Sequence, residues 1–118
     1  MVAVIRIKRV YDQAFKEDGF RILVDRLWPR GISKDKAKVD LWLKEVAPSN
    51  DLRKWFSHDQ KKWQEFKERY ADELKSKQEL LLQIRQAEKE RETVTILYSA
   101  KDEEHNQAVA LVAFLQKA

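Results

Sequence analysis

The chain has no cysteine, and only two glycines and two prolines in 118 residues. Without cysteine there is no disulfide scaffold, no thiolate nucleophile and no Cys-ligated zinc, a usage that fits a reducing compartment. Gly19 and Gly31 are too few and too far apart for a phosphate-cradling Walker loop or a glycine-rich dinucleotide turn. No Gly-x-Ser-x-Gly nucleophile elbow occurs. Two histidines, with no His or acid pair at ligand spacing that stands out, predict no metal centre, and no cofactor is expected. No apolar run approaches the roughly 18 residues of a membrane span. Charges enter at Arg6 and Lys8, which removes the basic-then-apolar pattern of a signal peptide. The expectation is a cytoplasmic protein that makes no use of a membrane.

What is present is charge. The net charge is +4, and its placement is uneven. Residues 21–38 hold six basic side chains against Asp25 and Asp35, while the rest of the chain balances. A local positive excess favours an anionic ligand, although lysines in a polar loop are also simply solvated. The length predicts one domain over residues 1–118. A chain of this size buries roughly two thirds of the surface it would expose unfolded, enough for a core without covalent staples.

Residues 2–9 end in alternation, Ile5 and Ile7 against Arg6 and Lys8, and predict a strand with one wetter face. Residues 11–19 are polar and are either a loop or one helical turn around Ala14-Phe15. Residues 20–26 are nearly continuously apolar up to Val24, as in a strand covered on both faces. Residues 31–38 are a loop with one turn capped by Ser33, and 39–45 are a short strand or an extended arm. Ser49 is a good helix N-cap, because its hydroxyl can accept an unpaired first-turn N–H. From Asp59 to Glu90 the pattern is helical, with a break placed near Lys75-Ser76-Lys77. Trp63, Phe66, Tyr70 and Leu74 fall on one face and read as core more readily than as a nucleic-acid surface. Thr93 to Tyr98 is rich in β-formers. Asp102 is a candidate cap for a last helix ending at Gln116. Strand, short connection, strand, helices, strand, helix predicts an α/β fold: a small, mainly parallel sheet of three to four strands packed with helices. An antiparallel hairpin across residues 10–19 is the topological alternative, because that connection is short for a crossover.

In a parallel sheet, Asp25-Arg26 and Ser99-Ala100-Lys101 lie at carboxyl ends of strands, the usual edge for a ligand. Asp25 and His105 are the candidate acid–base residues. Arg26 and Arg30 are candidates for holding a carboxylate or phosphate, and Trp28 for stacking on a flat ligand. Tyr98, Ser99 and Lys101 complete the candidate binding set. Bland readings stand beside these: Asp25 in an ion pair with its neighbour, Trp28 as a core plug, His58 at a helix end. The partner this set implies is a small anionic molecule. The alternative is a nucleic-acid-binding or regulatory module using the basic stretch 21–38.

The run Arg21-Ile22-Leu23-Val24-Asp25-Arg26-Leu27-Trp28-Pro29-Arg30-Gly31 resembles the YeaO-like bacterial family, a domain of unknown function. So do Ala47-Pro48-Ser49, Leu52-Arg53-Lys54-Trp55-Phe56 and Leu97-Tyr98-Ser99-Ala100-Lys101. The resemblance spans nearly the whole chain and carries no established activity. It implies a strand–helix–strand start and hence the parallel sheet. The wider group has a Cys-His-Arg triplet near the opening of the helix after its later strand. Here the matching region reads Glu104-His105-Asn106-Gln107, without the cysteine and without the arginine.

Overall fold

The computed structural model describes residues 4–117. Four strands, β1 (Val4–Arg9), β2 (Phe20–Leu23), β3 (Leu41–Trp42) and β4 (Thr93–Tyr98), form one parallel sheet in the order β1-β4-β2-β3. The helices are α1 (Lys34–Ala37), α2 (Asn50–Phe56), α3 (Trp63–Lys75), α4 (Gln78–Glu90) and α5 (Gln107–Lys117). The fold is α/β, as expected. No helix among the described residues is long and apolar enough to cross a membrane.

Strand order follows from composition. β4, rich in β-formers and buried from Val94 to Tyr98, sits inside the sheet, with Ile96 opposite both Ile7 and Ile22. The strand with the wet face, β1, takes an edge, where Arg6 reaches solvent. β4 therefore lies between β1 and β2, which excludes the hairpin alternative. The connection 10–19 suffices for the crossover because it contracts into a 3-10 turn at Lys16–Asp18, not at Ala14-Phe15. A buried cluster closes it: Arg21 pairs with Asp18, and Lys8 reaches the same carboxylate at 3.1 Å. Burial pushes the Asp18 carboxyl up, but the Phe15 N–H and the Lys8 and Arg21 charges outweigh it and hold the carboxyl below its usual range.

One face of the sheet is covered by α2–α5. Its core includes Ile22, Val24, Ile96 and the helical stripe Phe66, Tyr70 and Leu74, with Trp63 half-buried beside it. The other face is covered by loops over Val10, Leu23, Ala37 and Leu97, against which Trp28, Ile32, Val39 and Trp42 pack.

Several boundaries move. β2 ends at Leu23 rather than residue 26, although Val24 N–H still donates to Leu97 O. Only Leu41–Trp42 of the 39–45 stretch joins the sheet. The long helical region breaks at Ser76-Lys77, where the Ser76 hydroxyl caps back on Glu73 O. Ser33 and Ser49 cap α1 and α2. The last helix starts at Gln107, not after Asp102. Asp102 Oδ1 accepts from the N–H groups of Glu104 and His105 in a local turn, and Asn106 Oδ1 accepts from Val109 N–H as the true cap. Positions 2 and 3 of the expected first strand lie outside the described residues.

Candidate functional site

Parallel pairing brings the carboxyl ends of β2 and β4 side by side, with Asp25 just past one and Ser99 just past the other. Asp25 is 8% exposed. The Gln107 side-chain amide, at the start of α5, donates to its Oδ1, and the Trp42 indole N–H donates to its backbone carbonyl at 2.7 Å. No cation pairs with it among the described residues. Burial raises its pKa, and hydrogen bonding from Ser99 and Gln107 only partly opposes this.

The other predicted residues divide. Ser99 belongs to the Asp25 cluster, and Lys101 is exposed beside it. Tyr98 is buried, and its phenol pKa is raised by burial and by the Glu103 charge. Arg26 turns away from Asp25. Its guanidinium donates to the carbonyls of Ala47 and Pro48, both at 3.2 Å, lies 3.5 Å from Glu45, and leaves its buried Nε–H without a protein acceptor. The expected Asp25–Arg26 ion pair is therefore absent, because Arg26 pins the 45–48 segment. Trp28 donates its indole N–H to Ile32 O and packs edge-on against Trp42 at 5.5 Å, so it closes the second core. Arg30 is exposed, and its carbonyl accepts from the Tyr11 hydroxyl.

His105 joins a different cluster. Its Nδ1 lies 3.0 Å from Asp102, its ring stands edge-on to Trp63, and it makes no hydrogen bond to Asp25. The Asp102 carboxyl is drawn down to about 2, chiefly by the Glu104 N–H. Asp25 and His105, the two candidate acid–base residues, thus stand in different clusters.

Two residues were missed. Arg9, at the end of β1, donates to Ala100 O and Ser99 O and holds the turn beside Asp25. Its place at the same strand edge was the available signal. Gln107 carries no signal in sequence, since an amide in a helix is unremarkable. At the opposite end of the sheet an open groove of about 610 Å³ runs between residues 16–20 and 90–93. Its charges are mixed, Lys16 and Arg91 against Glu17, Asp40, Glu90 and Glu92. No cluster of three His, Cys, Asp or Glu that would hold a metal occurs among the described residues.

The chain is 43% identical over 112 residues to the uncharacterised protein YeaO of Escherichia coli, covering 95% of this chain and 96% of the relative. Over 70 residues, 59% of each chain, it is 49% identical to uncharacterised proteins of Mycobacterium tuberculosis and Mycobacterium bovis. No solved structure matches it. Residues 4–118 match the family described as the inactive DUF488-N3 subclade, and the chain belongs to that family.

Proposed function

We propose that the carboxyl edge of the sheet is a binding site for a small anionic molecule, held without chemical turnover. The observation that carries this reading is the Asp25 carboxyl: buried, at the strand ends, and contacted by neutral donors only. Burying a carboxyl without a cation costs stability, and an aliphatic side chain would fill the space without that cost. Such groups concentrate at functional edges of α/β sheets. Asp25 would accept a hydroxyl or amine proton of the ligand. Arg9, which holds the Ser99-Ala100 turn, and the exposed Lys101 would meet the ligand's anionic group. A ligand with both features is a sugar phosphate or a nucleotide.

Binding rather than catalysis is supported by three facts. The family is described as inactive, cysteine is absent, and His105 is engaged with Asp102. The test is thermal unfolding against nucleotides, sugar phosphates and carboxylates. At ten times its dissociation constant a ligand adds about 1.4 kcal/mol, a shift of several degrees at this size. Asp25→Asn is expected to fold and to lose the shift. If no compound of these classes moves the transition, or if the variant responds like the parent, the reading fails.

A further inference from the structure

Two aromatic side chains stand among the exposed apolar groups of the described residues, Phe15 and Tyr11. Phe15 lies under the Lys8 ammonium, 4.4 Å from its ring centre, beside the Asp18 cluster. Tyr11 stands at the carboxyl edge of the sheet, two residues past the end of β1. It is 39% exposed and yet held at both ends. The Asp12 N–H donates to Arg9 O at 3.1 Å and closes a turn around it, and its hydroxyl donates to Arg30 O at 2.7 Å. An aromatic plane fixed in this way loses little further freedom on meeting a flat ligand.

Contacts run from this plane to Asp25 without a gap. The Arg9 guanidinium lies over the Tyr11 ring, 5.0 Å from its centre. The same group donates from Nε to Ala100 O at 2.9 Å and from Nη2 to Ser99 O at 3.2 Å. Ser99 in turn hydrogen-bonds Asp25 through its side chain and its backbone. Arg9 Nη1 has no acceptor among the described residues and is left for an outside anion. Positive charge at this edge is limited, however. Asp12 and Glu103 act on the adjoining Tyr98 phenol in opposition to Arg9. Arg9 and Lys101 against these two acids suit one phosphate better than three.

We propose that the ligand of the Asp25 edge is a nucleoside monophosphate, its base stacked on Tyr11, a ribose hydroxyl on Asp25 and its phosphate met by Arg9 and Lys101. This rests on the reading of that edge as a binding site for a small anion, and it names the ligand within that class. Every base has a π face, so an exposed aromatic plane separates nucleotides from sugar phosphates more sharply than it separates one base from another.

The test is isothermal titration calorimetry with AMP, ribose 5-phosphate and ATP at one ionic strength. AMP is expected to bind about tenfold tighter than ribose 5-phosphate, the value of one stacked base. It is also expected to bind tighter than ATP. Tyr11→Leu, folded by circular dichroism, is expected to bind AMP only as well as ribose 5-phosphate, whose own affinity stays parental. Tyr11→Phe loses the bond to Arg30 O but keeps the plane, and is expected to retain the preference for AMP. The inference is overturned, with the anion site intact, if ribose 5-phosphate binds as tightly as AMP or if ATP binds tighter. It is overturned in the same way if the preference for AMP survives in Tyr11→Leu. Loss of the preference in Tyr11→Phe would trace it to the hold of the hydroxyl on the loop, and overturns it too. If none of the three compounds binds, or if Asp25→Asn binds them like the parent, the anion site itself falls and the inference with it.

Discussion

Glu73 on α3 accepts hydrogen bonds from both the backbone N–H of Ser49, at 2.9 Å, and its hydroxyl, at 2.6 Å, while the same hydroxyl accepts the Leu52 N–H and caps α2. One side chain thus caps the start of α2 and ties it to α3. Ser49→Ala removes the cap and leaves the Glu73 carboxylate short of a donor. It is expected to cost about 1–2 kcal/mol in urea unfolding. Glu73→Gln keeps an acceptor and costs less. A double-mutant cycle is expected to give a coupling of at least about 0.5 kcal/mol. Purely additive effects would show that cap and tether act separately.

The segment leading into Ser49 is held from below as well. Tyr70 is fully buried, and its hydroxyl donates to Val46 O at 2.7 Å. Lys77 Nζ donates to Ala47 O at 2.8 Å, and burial lowers its pKa, with the Glu73 and Glu45 charges opposing this and the Arg26 charge adding to it. Tyr70→Phe keeps the packing and strands the Val46 carbonyl, for an expected loss of about 1–2 kcal/mol. An unchanged urea midpoint would show that the carbonyl is satisfied without the phenol.

Features set by neighbours in the chain were legible in advance. Ser33 and Ser49 cap helices because a cap needs only its own first turn. The near-continuous apolar stretch up to Val24 reads as a strand covered on both faces, and Thr93–Tyr98 reads as a strand because it is rich in β-formers. Features set by distant partners were not. Nothing local says that Arg26 would reach the carbonyls of Ala47 and Pro48 rather than Asp25. Asp102 and Asn106 are equally good caps by type, and only the capture of Asp102 by the Glu104 and His105 N–H groups leaves the helix to Asn106. The candidate site divides in the same way. Asp25 and Ser99 follow from strand ends in a parallel sheet, whereas Arg9 and Gln107 needed the strand order and the helix start.

The two glycines make a paired prediction. Gly19 has φ of +66°, and a Cβ there would sit 2.2 Å from the Thr93 backbone oxygen, an unyielding neighbour in β4. Gly31 has φ of +77° but meets nothing within 4 Å. Gly31→Ala is expected to cost only the conformational penalty, about 1 kcal/mol. Gly19→Ala adds displacement of β2 from β4 and is expected to cost several-fold more, to the point of poor soluble expression. Equal melting temperatures for the two variants would show that the Thr93 contact relaxes freely.

The raised pKa of Asp25 gives a sign that can be checked. Its folded-state pKa lies above the unfolded value of about 3.9, chiefly because the carboxyl is buried. The unfolded chain therefore ionises first as pH rises. The destabilisation is absent below the unfolded pKa, grows as pH climbs toward the folded one, and is constant above it. Asp18 and Asp102, with lowered pKa values, contribute in the opposite direction: their stabilisation is lost as pH falls through the folded values. A pH profile of the parent alone mixes these terms. Asp25→Asn isolates one of them, because an amide does not titrate and the other carboxyls are common to both proteins. The stability of the parent minus that of Asp25→Asn, from urea unfolding, is expected to rise as pH is lowered from neutral to about 4. A flat difference across that range would mean that the carboxyl is effectively solvated, and the argument that it is retained for a ligand would lose its basis.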